Sequence, residues 1–120
     1  MKAFTKSLTH ATHGITNCIT HHKNFQLQLF AAAIALTNSI YFNIKPGEWV
    51  AIILCCTVVL TLEMINTAIE ELSNVVSPSY LPAIKKVKDI SAGAVLLASI
   101  SSLIIGLIIF IPYIKHILHL

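Results

Sequence analysis

The chain contains no arginine and little charge of either sign. Its eight basic residues are all lysines, its acidic residues number five, and charged residues make up only 11% of the 120 positions. A soluble domain carries about 25% charged residues, so the composition excludes an ordinary soluble domain. A net charge of +3 without a dense basic face also excludes a nucleic-acid-binding protein.

Cysteine is scarce as well. Cys18, Cys55 and Cys56 are odd in number and two of them are adjacent, which excludes a disulfide framework. We see no secretory signal peptide at the N-terminus, because it has no compact apolar stretch followed by a small-residue cleavage site. Apolar residues, in contrast, make up 56% of the chain, and the mean hydropathy is +0.80. These values predict an integral membrane protein with a single domain over residues 1–120.

Four segments account for the chain. Residues 1–23 carry apolar side chains at three- and four-residue steps and are predicted to form an amphipathic helix in the bilayer interface. Residues 24–44, 49–76 and 88–114 are apolar and long enough to cross a hydrocarbon core of about 30 Å. We therefore predict an all-α membrane protein with three transmembrane helices and one surface helix.

The lysines predict how the chain is oriented. Six of them precede the first span or lie in a charged segment before the third span, which we expect to be a loop: Lys2, Lys6, Lys23, Lys85, Lys86 and Lys88. Only Lys45 and Lys115 fall on the opposite side. Because cytoplasmic loops are enriched in lysine, the N-terminus and the second loop should be cytoplasmic.

Two carboxylates stand out in the second span, Glu63 and Glu70. A charged residue at the bilayer centre costs about 2.5–3.5 kcal/mol on insertion scales, so an acid inside a span is a functional candidate. Counting from Trp49 at 1.5 Å per residue places Glu63 about 10 Å inside the cytoplasmic face and Glu70 at that face. Asn66 shares their side of the helix, at i+3 from Glu63.

This pattern fits phosphoryl transfer to a membrane alcohol. A carboxylate at headgroup depth can accept a proton from a lipid hydroxyl, and a second one nearer water can hold Mg²⁺ with bound phosphates. Lysines of the adjoining segment can neutralise phosphoryl oxygens. The alternative from the residues alone is that Glu63 and Asn66 only hold helices together through polar contacts.

Two sequence blocks resemble a known family. Glu63-Met-Ile-Asn-Thr-Ala-Ile-Glu70, followed by Lys88-Asp-Ile-Ser-Ala-Gly-Ala-Val95, is similar to the small prokaryotic integral-membrane diacylglycerol kinases, and the resemblance extends over nearly the whole chain. It implies a homotrimer with active sites between subunits, in a bacterial cytoplasmic membrane. It also implies Mg²⁺ with ATP as cofactor, and ATP and a membrane lipid alcohol as partners, with no role for nucleic acid.

The resemblance assigns roles to individual positions. Glu63 corresponds to the catalytic base, Glu70 to a ligand of the Mg²⁺ bound to the nucleotide, and Asn66 to a polar residue beside the base. The remaining implied contacts are with the nucleotide for Tyr80, Lys88, Asp89 and His22, and with the lipid for Asn24 and Phe25.

Four positions depart from the family pattern. His22 stands where a second metal-binding Glu is usual, Asn74 where an Asp is common, and Leu81 where a His often follows Tyr80; an N-terminal Arg is missing. Imidazole is a poorer Mg²⁺ ligand than carboxylate, so His22 is either a weakened metal ligand or a solvated interface residue.

The lipid substrate stays open between undecaprenol and diacylglycerol. Glu48-Trp49 and the segment 105–112 resemble the branch that phosphorylates undecaprenol, although neither segment is predicted to contact the hydroxyl. Two other functions also remain. The chain could be a catalytically weakened member of the family, or a small transporter that uses Glu63 as its protonatable site.

Overall fold

A computed structural model describes residues 1–120 as four α-helices without a strand. The helices are α1 (Lys2–His21), α2 (Lys23–Phe42), α3 (Pro46–Val76) and α4 (Pro82–Ile117). The last three are long and apolar enough to cross a membrane. The prediction of an all-α protein with three candidate spans is confirmed.

The turn between α2 and α3 follows from its residues. Asn43 ends α2 in the left-handed region with φ 52°, a conformation that Asn adopts more readily than most residues. Pro46 opens α3, where its fixed φ is already helical and its missing N–H leaves no bond unmade. The second span therefore begins three residues before the predicted start at Trp49.

The segment between α3 and α4 differs from its prediction. The charged residues expected in a loop, Lys85, Lys86, Lys88 and Asp89, lie in the first turns of α4, which begins at Pro82 rather than at residue 88. Pro82 favours a helix start for the same reason as Pro46, and Lys85 pairs with Asp89 one turn later, at 2.5 Å. Only residues 77–81 remain as a connection.

The apolar core lies at one end of the bundle, around the α2–α3 turn. Ile44, Ile52 and Ile109 form its buried cluster, and Phe42 and Tyr113 pack against it with the neighbouring aromatic residues. We call this region, residues 42–52 with 105–113, the turn end. At the opposite end, which we call the cavity end, the α1–α2 junction faces residues 63–71 of α3.

Helix α1 has few contacts with the rest of the chain. Cys18 is its only buried residue, and burial raises the pKa of the Cys18 thiol. Phe4, Leu8 and Ile15 on the predicted apolar face are exposed. This face is therefore not covered by the other three helices, and its position in the bilayer interface stays a prediction.

Candidate active site

A polar cavity of about 180 Å³ opens at the cavity end. None of the eight residues that line it is hydrophobic, although it borders two apolar helices, α2 and α3. The lining consists of His21, His22, Lys23, Asn24, Glu63, Asn66, Thr67 and Glu70. The two glutamates and the asparagine predicted to share a helix face thus lie in one cavity.

Two local structures bring these side chains together. His22 has extended backbone angles, φ −118° and ψ 108°, between α1 and α2, so the chain changes direction there. This break turns both histidines of the junction toward α3. On α3, Glu63 and Glu70 are seven residues apart, which returns the second side chain to the same face after two turns.

Glu63 is almost completely buried, with 4% of its surface exposed. Its side chain makes no hydrogen bond or ion pair with another residue of the chain; only its backbone carbonyl accepts a bond, from Thr67 Oγ1 at 2.9 Å. A buried polar group without a partner is costly. Glu63 is therefore available to a ligand that enters the cavity.

Asn66 is also buried, with 6% of its surface exposed. Only one of the two polar groups of its side chain has a hydrogen-bond partner. Its Nδ2 group donates a long hydrogen bond of 3.5 Å to Glu70 Oε1, while its Oδ1 atom is buried without any partner. Such orphaned acceptors are rare in native structures and call for a physical explanation. A hydroxyl or a cation in the cavity would satisfy Oδ1.

The cavity also suits a magnesium ion that arrives with a nucleotide. Mg²⁺ prefers oxygen ligands and is usually held by one or two carboxylates together with substrate phosphates and water. Glu70 supplies one carboxylate at the cavity end, and the orphaned Asn66 Oδ1 supplies a further oxygen. The chain brings no three His, Cys, Asp or Glu side chains together as a metal site of its own.

His22 lines the cavity but faces an acid that the sequence did not single out. Its Nε2 atom lies 3.9 Å from Oε1 of Glu71, whose side chain is largely exposed outside the cavity lining. Glu71 follows Glu70 directly and so points about 100° away around the helix. The position of the His22 imidazole near Glu71 depends on how α1, α2 and α3 pack, so the sequence alone does not predict it.

Of the residues expected at the nucleotide, His22 lines the cavity, whereas Tyr80, Lys88 and Asp89 lie outside it. Lys88 donates a hydrogen bond of 2.7 Å from Nζ to Oδ1 of Asn74, which ties α4 to α3 one turn beyond Glu70. Asp89 is paired with Lys85, and Tyr80 is exposed in the 77–81 connection.

Of the two residues expected to contact the lipid, one lines the cavity and the other does not. Asn24 lines the cavity, whereas Phe25 is buried outside it. Lys23, which the sequence marked only as one of the lysines that set the orientation, joins the lining. Its proximity to two carboxylates depends on how the helices pack, and its position in the sequence gives no sign of it.

The chain is similar in sequence to known proteins. Residues 9–110 match the family described as prokaryotic diacylglycerol kinase. An undecaprenol kinase of Bacillus subtilis is 36% identical over 112 residues, which cover 93% of this chain and 91% of that protein. A diacylglycerol kinase of Synechocystis is 30% identical over 107 residues, which cover 88% of this chain and 61% of that protein.

Proposed function

The chain belongs to the prokaryotic diacylglycerol kinase family and is a lipid kinase, and we propose that it transfers the γ-phosphoryl group of ATP to a membrane lipid alcohol in the polar cavity. Undecaprenol is the preferred alcohol in this proposal. The observation that carries the site assignment is Glu63, a buried carboxylate without a side-chain partner in a cavity that borders apolar helices.

Glu63 acts as the general base. The lipid hydroxyl donates a hydrogen bond to its carboxylate, and the neighbouring Asn66 Oδ1 is a second acceptor that holds the hydroxyl in place. As the hydroxyl oxygen bonds to the γ-phosphorus, its proton passes to Glu63 and the bond from phosphorus to the β–γ bridging oxygen breaks. ADP leaves, and the product is a lipid phosphate.

Glu70 occupies the nucleotide side of the cavity. It lies about 10 Å along α3 from Glu63, nearer the end of the helix, and it would hold the magnesium ion of the nucleotide. When bound, the ion neutralises charge that develops on the transferred phosphoryl group. His22 contributes a weaker ligand at the same opening, because imidazole suits Mg²⁺ less well than carboxylate.

Lys88, Asp89 and Tyr80 bind the nucleotide from the α4 side. Lys88 is held by a neutral partner, Asn74, so its full positive charge stays available to phosphate oxygens. That these residues lie outside the cavity within one protomer supports the homotrimer, in which sites form between subunits. The kinase then lies in a bacterial cytoplasmic membrane with its N-terminus and the 77–81 connection exposed to cytoplasmic ATP.

The choice of undecaprenol rests on similarity. The relative named undecaprenol kinase matches over 91% of its length, whereas the one named diacylglycerol kinase matches over 61%. Both alcohols present a hydroxyl at the membrane surface, so the same base and acceptor serve either one.

Purified protein in mixed micelles tests the proposal. With Mg²⁺ and ATP labelled in the γ-phosphate, we expect label to appear in undecaprenyl phosphate, and more slowly in phosphatidate when diacylglycerol is offered. Faster labelling of diacylglycerol would reverse the substrate assignment. A folded, oligomeric protein that labels neither lipid would contradict phosphoryl transfer and favour a catalytically weakened family member.

A further inference from the structure

Lys23 is the only lysine among the residues that line the polar cavity, and the chain has no arginine. It shares the lining with two acids, Glu63 and Glu70. Its ammonium group nevertheless has no carboxylate oxygen within 4.0 Å, a distance that only Lys85 reaches among the lysines of the chain. Lys23 is also exposed to solvent, so its positive charge is available to an anion that enters from the water side.

The lengths of the helices place Lys23 between the two acids. Helices α2 and α3 both lead away from the same turn, and Lys23 lies 19 residues before the end of α2 at Phe42. At 1.5 Å per residue Lys23 is about 28 Å along its helix from the turn, compared with about 26 Å for Glu63 and about 36 Å for Glu70. In the proposed reaction the phosphoryl group moves from the nucleotide beside Glu70 to the hydroxyl beside Glu63. Lys23 therefore lies at the depth that this group occupies during transfer.

The first turn of α2 supplies further hydrogen-bond donors next to this ammonium group. The first hydrogen bond of the helix runs from the backbone N–H of Gln26 to the carbonyl of His22, at 3.1 Å. The N–H groups of Lys23, Asn24 and Phe25 precede it and have no partner within the helix, and no side chain caps them. Free N–H groups at the positive end of a helix dipole favour an anion.

A lysine at the start of α2 does not help the helix itself. Its charge adds to the positive end of the dipole, and the first turn of α2 contains no acid that would offset it. A hydrogen bond from Gln26 Nε2 to the carbonyl oxygen of Ile19, at 2.8 Å, ties this turn to the end of α1. The chain thus holds a positive charge at a position that is locally unfavourable, as proteins do mainly at functional sites.

The α3 side of the same cavity carries two buried groups that lack a partner. Glu63 and Asn66 are only 4% and 6% exposed, and neither the Glu63 carboxylate nor Asn66 Oδ1 has a hydrogen-bond partner in the chain. Both are acceptors and match the lipid hydroxyl, whereas the ammonium group and the N–H groups of α2 are donors and match phosphoryl oxygens. Acceptors on α3 and donors on α2 are what a hydroxyl and the phosphoryl group that it attacks require.

We propose that Lys23, together with the first-turn N–H groups of α2, binds the non-bridging oxygens of the phosphoryl group during transfer and on the product, the lipid phosphate. The inference rests on the proposed function and adds a catalytic residue to it. The bond from the lipid oxygen to phosphorus forms, the bond from phosphorus to the bridging oxygen of ADP breaks, and the hydroxyl proton passes to Glu63. Lys23 stays protonated throughout and contributes charge and hydrogen bonds only.

The two acids of the cavity make such a cation necessary. Glu63 and Glu70 repel a phosphoryl group because all three are negatively charged, and the repulsion is strongest where water is excluded, as around the buried Glu63. Lys23 is the only lysine of the cavity that can offset it. Donors that are held in place before the reaction and face charge developing in the transition state raise kcat more than they strengthen substrate binding.

The activity test compares Lys23→Gln and Lys23→Arg with Lys6→Gln. Lys6 lies on α1 outside the cavity, so Lys6→Gln is a matched control that removes the same charge near the same end of the chain. We expect Lys23→Gln to lower kcat at least tenfold while the KM for ATP stays within threefold of wild type. Lys23→Arg keeps the charge and should stay within fivefold in kcat, and Lys6→Gln should stay within twofold.

Three results would overturn the inference. A normal kcat in Lys23→Gln would remove Lys23 from the reaction. An equal loss in Lys23→Gln and Lys6→Gln would mean that only the overall positive charge of the N-terminal region matters. A raised KM for ATP with a normal kcat would place Lys23 at the ground-state nucleotide instead of at the transferred group.

A binding measurement without ATP separates this inference from the proposed function. The probe is octyl phosphate, a short lipid phosphate, added in micelles to protein labelled with ¹³C at the lysine Cε atoms. One NMR resonance, absent from Lys23→Arg, should shift as octyl phosphate is added and should not shift with octanol. A resonance that does not move would refute the contact, even if Lys23→Gln fails to fold.

The two proposals then fail in different ways. A protein that phosphorylates neither lipid but shows the shift of the Lys23 resonance would refute the kinase assignment and retain the phosphate site. Normal phosphorylation of a lipid without the shift would refute the role of Lys23 alone.

Discussion

Each end of the bundle contains a glutamate of α3, and the two carboxylates differ in whether they have hydrogen-bond partners within the chain. At the turn end, Glu48 Oε1 accepts hydrogen bonds from Tyr113 Oη at 2.5 Å and from the backbone N–H of Lys45 at 3.1 Å. At the cavity end, Glu63 is nearly buried, and its carboxylate has no partner in the chain.

From this difference we infer that Glu48 stabilises the fold and that Glu63 takes part in the reaction. Glu48 joins the start of α3 to the last turns of α4, next to the isoleucine cluster, where a satisfied carboxylate adds to stability. Glu63 adds a burial cost that no internal contact offsets. Proteins break local rules of this kind mainly at functional sites, so the unpartnered acid is the one we place at the reaction.

The largest effect should come from removing the base. Glu63→Gln keeps the shape of the side chain but cannot accept a proton, and general bases contribute about 10²- to 10⁴-fold to rate. We expect phosphoryl transfer to fall at least 100-fold while the oligomer stays intact in size-exclusion chromatography. Glu48→Gln is the matched control and should retain activity within a few-fold. Near-normal turnover in Glu63→Gln would remove this residue from the mechanism.

The turn end should show the second largest effect, on stability instead of activity. Tyr113→Phe removes a hydrogen bond to the Glu48 carboxylate, and bonds to a charged acceptor stabilise a fold more than bonds between neutral groups. We expect thermal unfolding in detergent at a lower temperature, with turnover per folded protein unchanged. Phe110→Leu, a nearby aromatic change that leaves the bond intact, separates the bond from the packing. An unchanged midpoint temperature of unfolding in Tyr113→Phe would show that the hydrogen bond to Glu48 does not stabilise the turn end.

Substitution at His22 should produce a smaller effect on metal dependence. His22→Glu provides a hard oxygen ligand at the cavity opening, so it should lower the Mg²⁺ concentration needed for the half-maximal rate. A gain of about 1 kcal/mol corresponds to roughly a fivefold shift. Mg²⁺ titrations of wild type, His22→Glu and His22→Ala measure it. Three superimposable curves would mean that Glu70 holds the metal without help from this position.

The smallest effect should appear at Lys88. Asn74→Asp places a carboxylate next to the ammonium group and partly neutralises it, and exposed ion pairs contribute about 0.2–1 kcal/mol. We therefore expect the KM for ATP to rise up to about fivefold, with kcat unchanged and the difference reduced at high salt. Asn74→Ala removes the hydrogen bond without adding charge and should show no such salt dependence. A lower KM in Asn74→Asp would contradict the role of Lys88 at the nucleotide.

Hydropathy and helix periodicity were sufficient to predict the three spans and the cavity-facing side of α3. Uninterrupted apolar length sets a span, and a spacing of three, four and seven residues sets a face, as Glu63, Asn66 and Glu70 show. The start of α4 was mispredicted because a charged segment resembles a loop. Pro82 and the Lys85–Asp89 pair make it helical.

The contacts between helices could not be predicted from the sequence. The position of His22 near Glu71, the bond from Lys88 to Asn74 and the orphaned Oδ1 of Asn66 depend on how helices distant in the chain pack. An apolar groove of about 530 Å³ between α2, α3 and α4 depends on the same packing, since none of the three helices has a distinctive motif there.

The claim that Glu63 is held for chemistry at a cost in stability has one direct test, the thermal unfolding of Glu63→Gln beside Glu48→Gln in the same micelles. Replacing an unpartnered buried carboxylate with a neutral amide removes a burial cost, so Glu63→Gln should unfold at the wild-type temperature or above it. Glu48→Gln weakens a charge-assisted bond and should unfold at a lower temperature. Glu63→Gln unfolding below wild type would contradict the account, because Glu63 would then hold helices together as a structural residue.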